Sequence, residues 1–195
     1  MVQALGGQVI SLGRGRGYLN VLDPGEATEA AMRLTGSARA AVLADAHGRR
    51  LTMVSALVAI LRSSQPTDRE ETILDRALRI LDDKYVGVPV LSDLLQVVRD
   101  APEELRIVAL DRGDDRRYRD ITENLEASLI GLTTGGRLGE TFSRQTSNPM
   151  RRDKPVVFDV SGIDDSEMEL QAATLLACWS AGFGTVNVAN ALADA

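Results

Sequence analysis

The pattern of apolar and polar positions predicts a mostly helical chain with short strands near its two ends. Between residues 26 and 142, apolar side chains recur at spacings of three and four, the period of an amphipathic helix. Continuous apolar runs at 8–12, 18–22 and 155–160 each predict a short strand. The run at 155–160 is of the kind found in covered parallel sheets. A largely apolar helix is predicted to follow at 166–181.

The first part of the helical region divides into two predicted helices and a break. The segment 26–46 is rich in alanine and contains Gly36, which weakens or bends the helix. The segment 51–61 is apolar on more than one side, which predicts a central, buried helix. The polar residues at 63–66 then interrupt the helical pattern.

A capping box marks the start of the next helix. The Thr67 hydroxyl is placed to cap the Glu70 amide, and the Glu70 side chain reaches back to residue 67. The apolar residues that follow form one stripe: Leu74, Ala77, Leu78 and Leu81. Three later helix starts are predicted, at Ser92, at Pro102, and at Asp114 or Asp115. Four glycines are then expected to loosen the chain: Gly131, Gly135, Gly136 and Gly139.

This order of elements predicts an α/β fold dominated by helices. A β edge segment at 1–25 precedes a nearly all-helical inserted subdomain at 26–143, and residues 144–195 return to the sheet. Only two or three strands are predicted, and so small a sheet would leave its edges and one face poorly covered. We therefore expect further strands to lie outside this chain.

Composition excludes several classes of protein. The net charge of −6 argues against a surface that binds nucleic acid as a whole. One cysteine and one histidine make a disulfide within the chain impossible and a structural zinc site improbable. The start of the chain lacks the pattern of a secretion signal. We expect no stretch to approach the ~20 apolar residues of a membrane span. A reducing cytoplasm is the expected location.

The glycine-rich segment 13–17 invites comparison with a phosphate-binding loop. Such a loop leads into a helix, whose N-terminal amides hold the anion. Here the segment leads into an apolar run that predicts a strand, and the Gly-x-x-x-x-Gly-Lys-Ser/Thr motif is absent from the sequence. A plain hairpin or connector is therefore preferred, with contact of Arg14 and Arg16 to a phosphate or an acidic partner as the alternative.

Two groups of basic residues are candidates for partner contact. The first is interleaved with aspartates, which is typical of a solvated helix start: Arg112, Arg116, Arg117 and Arg119. The second consists of Arg151, Arg152 and Lys154 beside Asp153. Contact with DNA or a neighbouring subunit is the minority interpretation of the second group, and its functional role is left open.

Single polar residues give weaker signals. His47 is predicted near a helix end, where its charge would complement the helix dipole, and Cys178 is predicted as a small buried hydrophobe. Asp159 ends a strand, where active-site groups lie in many α/β folds, but capping of the following turn is the preferred interpretation. The remaining acids complement a helix start: Asp164, Asp165, Glu167 and Glu169. No catalytic or metal-binding residue is assigned, and cofactor-binding residues are unknown.

Several short stretches, in their order and spacing, resemble the ATPases of conjugative transfer and type IV secretion, the TraC-like branch of the FtsK–HerA P-loop superfamily. The matching stretches are 5–12, 20–23, 135–142 and 156–163, followed by a helix that reaches Trp179. The resemblance implies that Walker A precedes this segment and that a Walker B strand ending in Asp-Glu follows it. Both motifs are absent from the chain, so no catalytic residue is carried over.

The resemblance implies a middle fragment of an ATP-dependent DNA or protein transfer ATPase with a P-loop, AAA-like core. ATP and Mg²⁺ are then cofactors of the parent protein, and none is expected for this chain alone. The helical insertion would contact other subunits of an ATPase ring, a transfer complex or the substrate. DNA is a further candidate for contact in the parent protein. The expected location is cytoplasmic, with the secretion complex as the link to the inner face of the membrane.

Two other classes of function remain open from the residues alone. The first is a stand-alone helical protein-interaction module, which predicts a complete sheet with 156–160 at its centre. The second is a small enzyme with a metal-dependent acidic site around Asp159, Asp164 and Asp165. The Asp159→Asn substitution would abolish the activity of such an enzyme while the fold survives.

Overall fold

The computed structural model describes residues 6–13, 15–136, 138–151 and 153–194. Within them lie two short strands and eight helices. The strands are β1 (Gln8–Ser11) and β2 (Val156–Asp159). The helices, in chain order, are α1 (Ala27–Arg33), α2 (Gly36–Arg62), α3 (Asp68–Lys84), α4 (Leu91–Asp100), α5 (Glu103–Ala109), α6 (Asp115–Thr133), α7 (Gly139–Phe142) and α8 (Met168–Ala193).

The two strands pair in parallel, although about 140 residues separate them along the chain. Gln8 lies opposite Val156, and Ser11 lies opposite Asp159. Backbone hydrogen bonds from Gln8 N to Pro155 O (2.8 Å) and from Leu12 N to Asp159 O (2.9 Å) close the two ends of the ladder. The helix-dominated α/β fold with a small parallel sheet is therefore confirmed.

One hydrophobic cluster joins the sheet to the helices. It contains Ile10 and Leu12 beside β1, Leu57 of α2, Leu129 of α6 and Ala173 of α8, each buried. A smaller cluster lies between α1, the first turns of α2 and the last turns of α8. Both α2 and α8 contribute to the two clusters, and residues 51–61 of α2 lie in the larger one, as their apolar girth predicts. The predicted separate helices at 26–46 and 51–61 are wrong, because the chain breaks after α1 and α2 then runs without a break from Gly36 to Arg62.

Several local predictions are confirmed at the helix ends. Thr67 caps α3, with its hydroxyl accepting from Glu70 N and its own amide donating to the Glu70 carboxylate. Asp114 caps α6 by accepting from the amides of Arg116 and Arg117. The predicted cap of α4 at Ser92 is two residues late, because Val90 is the N-cap and Ser92 lies inside the helix. These signals are local, which is why they could be read from the sequence.

The predicted strand at 18–22 is wrong. This segment is irregular, and it is held by α7 and by the loop that follows α7 instead of by a neighbouring strand. Leu19 N donates to Thr141 O (2.9 Å), and Ser147 N donates to Tyr18 O (3.1 Å). Its apolar side chains are buried because it crosses the core as a connector.

Helix α8 extends twelve residues beyond its predicted end at residue 181. The helix runs through Gly182 and Gly184. A side chain at Gly184 would overlap the guanidinium of Arg49 on α2, so this glycine lets the two helices approach closely. Gly131 in α6 is similar, since a Cβ there would lie 2.9 Å from Leu61 Cδ2.

By length and composition, α8 is also apolar enough to cross a membrane. The expectation that no stretch approaches such a length is therefore wrong. A single helix of this kind is weak evidence, because the core helix of a soluble protein passes the same test, and one third of its most apolar window is buried inside the fold. One face of α8 packs against α1 and α2.

Candidate functional site

The carboxyl ends of β1 and β2 lie side by side because the strands are parallel. In open α/β sheets, ligands bind in the crevice outside these ends. Four polar side chains meet there: Ser11, Arg16, Asp159 and Ser161. This edge is the candidate site, and we refer to it as the carboxyl edge.

Asp159 is held at the carboxyl edge by two serines. The backbone amide of Ser161 donates to Asp159 Oδ1 (3.0 Å), and the Ser11 hydroxyl donates to Oδ2 (3.2 Å). These hydrogen bonds, those from Ser161 first, lower the pKa of Asp159 below its ordinary value, and the positive charge of Arg16 adds to this. Capping of the turn after β2, the preferred interpretation of Asp159, therefore agrees with the geometry.

The glycine-rich segment closes on itself as a small hairpin. Gly13 and Gly17 form an antiparallel bridge, and Arg16 N donates to Gly13 O (3.1 Å). The Arg16 side chain lies against Gly162, where a Cβ would come within 2.6 Å of Arg16 Cδ. The connector interpretation agrees with this geometry, and Arg14 lies outside the described residues.

Asp164 holds the turn that leads into α8. Asp164 Oδ1 accepts from Ser166 N (2.8 Å) and from the Ser166 hydroxyl (2.6 Å), and these bonds lower the pKa of Asp164. Within the described ranges, no group of three or more His, Cys, Asp or Glu side chains is arranged to hold a metal ion. The chemistry available at the carboxyl edge is therefore hydrogen bonding around one ionised carboxylate.

A second polar cluster lies between α2 and α3 and was missed by sequence reasoning. His47 Nε2 lies 2.7 Å from Asp75 Oδ1, and Nδ1 lies 3.6 Å from Asp82 Oδ2, an ion-pair distance. Arg50 makes a bidentate pair with Asp82 (2.6 and 2.7 Å), and Arg79 pairs with Asp75 (3.0 Å). We call these five residues the α2–α3 clasp.

The clasp corrects the interpretation of His47. The residue lies in the middle of α2, so the helix dipole does not explain it. The Asp82 carboxylate, followed by that of Asp75, raises the pKa of His47 against the opposing effects of burial and of Arg79. The available signal was the seven-residue spacing of Asp75 and Asp82, which puts both carboxylates on one face of a helix.

Asp82 is the most strongly perturbed carboxylate of the clasp. Burial alone would raise its pKa, but the hydrogen bonds from His47 and Arg50 outweigh burial and lower the pKa to about 2. The Arg50 side chain is only 7% exposed, so its charge depends on Asp82 for compensation. The clasp is therefore an ion-pair network that joins two helices.

A cavity of about 350 Å³ lies between the sheet, the turn at 23–26, α2 and α8. Ile10 and Phe158 supply apolar walls, and Asp23 and Arg49 supply charge. Arg49 is already engaged, since its Nε donates to Asp45 (2.9 Å) and its Nη1 donates to Ser180 O (3.4 Å). The Asp45 carboxylate therefore offsets part of the charge that Arg49 brings to the cavity.

The two predicted basic groups lie at the surface, and Arg151 is paired with an acid. Arg151 pairs with Asp153 through two hydrogen bonds (2.9 and 2.8 Å), Lys154 is exposed, and Arg152 lies outside the described residues. The first group lies on the exposed start of α6, as a solvated helix start predicts: Arg112, Arg116, Arg117 and Arg119. Cys178 is buried as predicted, and burial raises the pKa of its thiol to about 11.

No protein-family model and no curated protein sequence matches this chain. Among solved structures, the chain is similar to VirB4 of Thermoanaerobacter pseudethanolicus, with a TM-score of 0.59 and 18% sequence identity. The similarity covers 95% of this chain and 64% of the VirB4 chain. At this level of identity the comparison shows a shared fold: nearly the whole chain folds like a part of VirB4.

Proposed function

We propose that this chain is a segment of a type IV secretion ATPase of the VirB4 and TraC kind, and that it lies between the Walker A and Walker B motifs of the parent protein. Two independent lines support the proposal. The order of short stretches along the sequence resembles these ATPases, and the fold is shared with VirB4 over 95% of the chain.

The single observation that carries the proposal is the open outer edge of β2. Pro155 O and Asp159 O accept from β1, so the odd-numbered residues of β2 face β1. The backbone groups of Val156 and Phe158 then point to the opposite side, where the described part of the chain supplies no strand. Parallel sheets are rarely this small, so β2 is suited to accept a further strand.

The path of the chain supports the same placement. β2 leads into α8, and a strand that follows such a helix pairs in parallel with the strand before it through a right-handed crossover. A Walker B strand after α8 would therefore pair with β2 along its open edge. The outer edge of β1 differs, because Asn148 Nδ2 donates to Val9 O (3.4 Å) and Gln8 is anchored to Asn148 and Pro149.

The chain by itself is proposed to be catalytically inactive. Phosphoryl transfer needs a phosphate cradle, a lysine and a carboxylate that holds Mg²⁺. The Walker A motif is absent from the sequence, so ATP and Mg²⁺ belong to the parent protein in this proposal. The helical part at 26–143 would supply contacts to subunits, partners or the transferred substrate, at the cytoplasmic face of the secretion complex.

ATP hydrolysis by the 195-residue chain and by the protein encoded by its native open reading frame tests the proposal. We expect hydrolysis by the longer protein only, with Walker A upstream of residue 1 and an Asp-Glu strand downstream of residue 195. Robust hydrolysis by the isolated chain would contradict the proposal. A reading frame that lacks both flanking motifs would contradict it as well.

Hydrogen exchange tests the open edge directly. In the isolated chain the Phe158 amide, which points away from β1, should exchange much faster than the Val157 amide, which points toward it. In the longer protein both amides should be protected. Equal, strong protection of both amides in the isolated chain would show that the β2 edge is already covered.

The two other classes of function make different predictions. A stand-alone interaction module predicted β2 at the centre of a complete sheet, and β2 has one neighbouring strand among the described residues. The acidic-site enzyme predicted a metal-dependent activity, which Asp159→Asn would abolish. Asp159 is engaged by Ser11 and Ser161, which is a capping role. We therefore expect Asp159→Asn to retain the fold, and we expect no metal-dependent activity that the substitution could abolish.

A further inference from the structure

Asn20 begins one of the sequence stretches that resemble the transfer ATPases, and its side chain is almost fully buried. Asn20 Oδ1 accepts from Leu22 N (3.0 Å), which shapes the backbone turn after residue 20. Asn20 Nδ2 donates to Pro89 O (2.8 Å) and to Gln145 Oε1 (3.1 Å). A buried amide is costly unless it is hydrogen-bonded, and Asn20 meets this condition with partners from three segments. The residue therefore joins parts of the chain that are distant in sequence.

Gln145 extends this network to a second carbonyl. Its Nε2 atom donates to Val88 O (2.6 Å), one residue before the carbonyl that Asn20 binds. The Asn20 backbone amide also donates to the Thr146 hydroxyl (3.1 Å). We call Asn20, Gln145, Val88 and Pro89 the junction. Because Asn20 and Gln145 bond each other as well as the two carbonyls, we expect loss of either side chain to loosen the hold of the other.

The junction lies where the chain passes between the sheet and the helical part. Residues 17–25 lie between β1 and α1, and residues 143–151 lie between α7 and β2. The two passages are bonded side by side, since Ser147 N donates to Tyr18 O (3.1 Å) and Tyr18 N donates to the Ser147 hydroxyl (3.0 Å). Through the junction, the segment 85–90 between α3 and α4 is bound to both passages.

The first passage starts in contact with the carboxyl edge. Gly17 lies so close to Ser11 O that a Cβ at residue 17 would overlap it. The hairpin that ends at Gly17 rests on the turn after β2, where Arg16 lies against Gly162. Ligands of open α/β sheets bind outside this edge. A change at the carboxyl edge therefore has a short path to Asn20.

The outer part of the segment 85–90 projects into solvent. Val86 is 98% exposed and Tyr85 is 41% exposed, whereas Pro89 is buried on the inner side. A segment with few buried apolar side chains opens at little cost in free energy unless other contacts hold it. We therefore expect the order of residues 86–88, which we call the tip, to depend on the junction.

We propose that Asn20 and Gln145 are positioning residues that couple the tip to the two passages from the sheet. The tip then follows a displacement of either passage, because one side chain from each passage holds the carbonyls of Val88 and Pro89. Contiguous networks of this kind carry coupling between distant segments. The anchoring of the tip does not depend on the proposed function, but its use rests on that function. In the parent ATPase, a change of nucleotide at the carboxyl edge would move the tip.

Backbone order parameters from NMR relaxation of the 195-residue chain test the anchoring. Rigid backbone has an order parameter of about 0.85 and flexible backbone falls below about 0.6, and we expect the wild-type tip to lie near the first value. Gln145→Ala should lower the order parameters of the tip below about 0.6. Gln145 is exposed, so the circular dichroism spectrum of this variant should be unchanged. Asn20→Ala should give the same loss at the tip, because it releases Pro89 O and Gln145 Oε1.

Gln96→Ala is the matched control for Gln145→Ala. Gln96 is also exposed, and its side chain donates to Asp100 within α4 (2.6 Å), outside the junction. Thr67→Ala is the control for stability, because it removes the cap of α3 and leaves the junction intact. Neither control should change the order of the tip.

Three results would overturn the anchoring. The first is a wild-type tip that is already flexible. The second is an ordered tip in both junction variants. The third is equal loosening of the tip in the controls, because the effect would then come from lower overall stability.

Hydrogen exchange of the longer protein encoded by the native open reading frame tests the coupling. We expect exchange in the segment 85–90 to differ between the nucleotide-free protein and the protein with a non-hydrolysable ATP analogue and Mg²⁺. Gln145→Ala should still bind the analogue and should lose this difference. Equal exchange of the wild-type segment in both states, with nucleotide bound, would overturn the coupling. A longer protein that binds no nucleotide would contradict the proposed function instead, and the order parameters of the 195-residue chain would still decide the anchoring.

Discussion

The substitution Asp82→Ala should destabilise the fold through the α2–α3 clasp. Asp82 pairs with Arg50 in a bidentate arrangement and also faces His47, so its removal leaves Arg50 without its ion-pair partner and takes away one of the two carboxylates beside His47. The Arg50 side chain is 7% exposed and retains only a long contact to Ala46 O (3.4 Å). The free energy of unfolding should therefore fall.

The magnitude follows from two estimates. A pKa lowered from 3.8 to about 2 corresponds to about 2.4 kcal/mol. The Asp82 side chain is 38% exposed, so screening by solvent reduces this to about 1 kcal/mol. Breaking a fully buried pair costs about 3–5 kcal/mol, which sets the upper limit. We expect a loss of about 2 kcal/mol, or about 4–8 °C in Tm for a chain of this size.

Urea unfolding at neutral pH, followed by circular dichroism, measures this loss. Asp83→Ala is the matched control, because it removes the same charge from the exposed neighbouring position on α3. Asp82 has a lowered pKa, so its contribution is present above pH 3.8 and is lost as the pH falls toward 2. The difference in the free energy of unfolding between Asp82→Ala and Asp83→Ala should therefore become smaller as the pH falls from 3.8 toward 2.

One result would refute the reasoning. If Asp82→Ala and Asp83→Ala unfold at the same urea concentration at neutral pH, the bidentate pair with Arg50 contributes no net stability. The clasp would then be an ion-pair network whose Coulomb energy only offsets its desolvation.

Three further predictions concern titration, packing and capping. The pKa of His47 is raised above 6.5, so its contribution to stability is full below that pH and is lost as the pH rises through the pKa of the folded protein. In thermal unfolding, the difference in Tm between the wild type and His47→Gln should therefore be larger at about pH 6 than at about pH 8. Gly48→Ala, at an open position inside α2, should raise the free energy of unfolding by up to about 1 kcal/mol. Gly184→Ala should raise it less, because Arg49 must move to make room for the Cβ. Equal increases for the two variants in urea unfolding would contradict this packing argument. Thr67→Ala should cost about 1 kcal/mol through loss of the α3 cap, and Thr67→Ser should restore most of it.

Local signals in the sequence predicted much of the fold. The capping box at Thr67, the cap at Asp114 and the break at 63–66 were correct, because each depends on residues within one helical turn. The strand at 155–160 was correct within one residue at each end. Its continuous apolar run has no helical period, so only a short buried strand fits it.

The candidate site was predicted only in part. Asp159 was identified from its position at a strand end, and its capping role agrees with the structure. The α2–α3 clasp was missed, because His47 lies 28 residues from Asp75 and the two meet only when α2 and α3 pack together. A single histidine carries no sequence signal of its partners. The spacing of Asp75 and Asp82 indicated only that the two carboxylates share one face of α3.

The sequence by itself determined that this protein is a helical chain with a short parallel-type strand, because helical period, caps and apolar runs are properties of neighbouring residues. Only the tertiary structure decided what the glycines and the buried faces mean. Gly131 was expected to loosen the chain, yet Gly131 and Gly184 each lie inside a helix where a side chain of α2 takes the space of the missing Cβ. The residues of α8 are apolar around much of its girth, but the packing of α1 and α2 covers only one of its faces. Close approach and coverage depend on elements that are distant in sequence, so no local pattern can encode them.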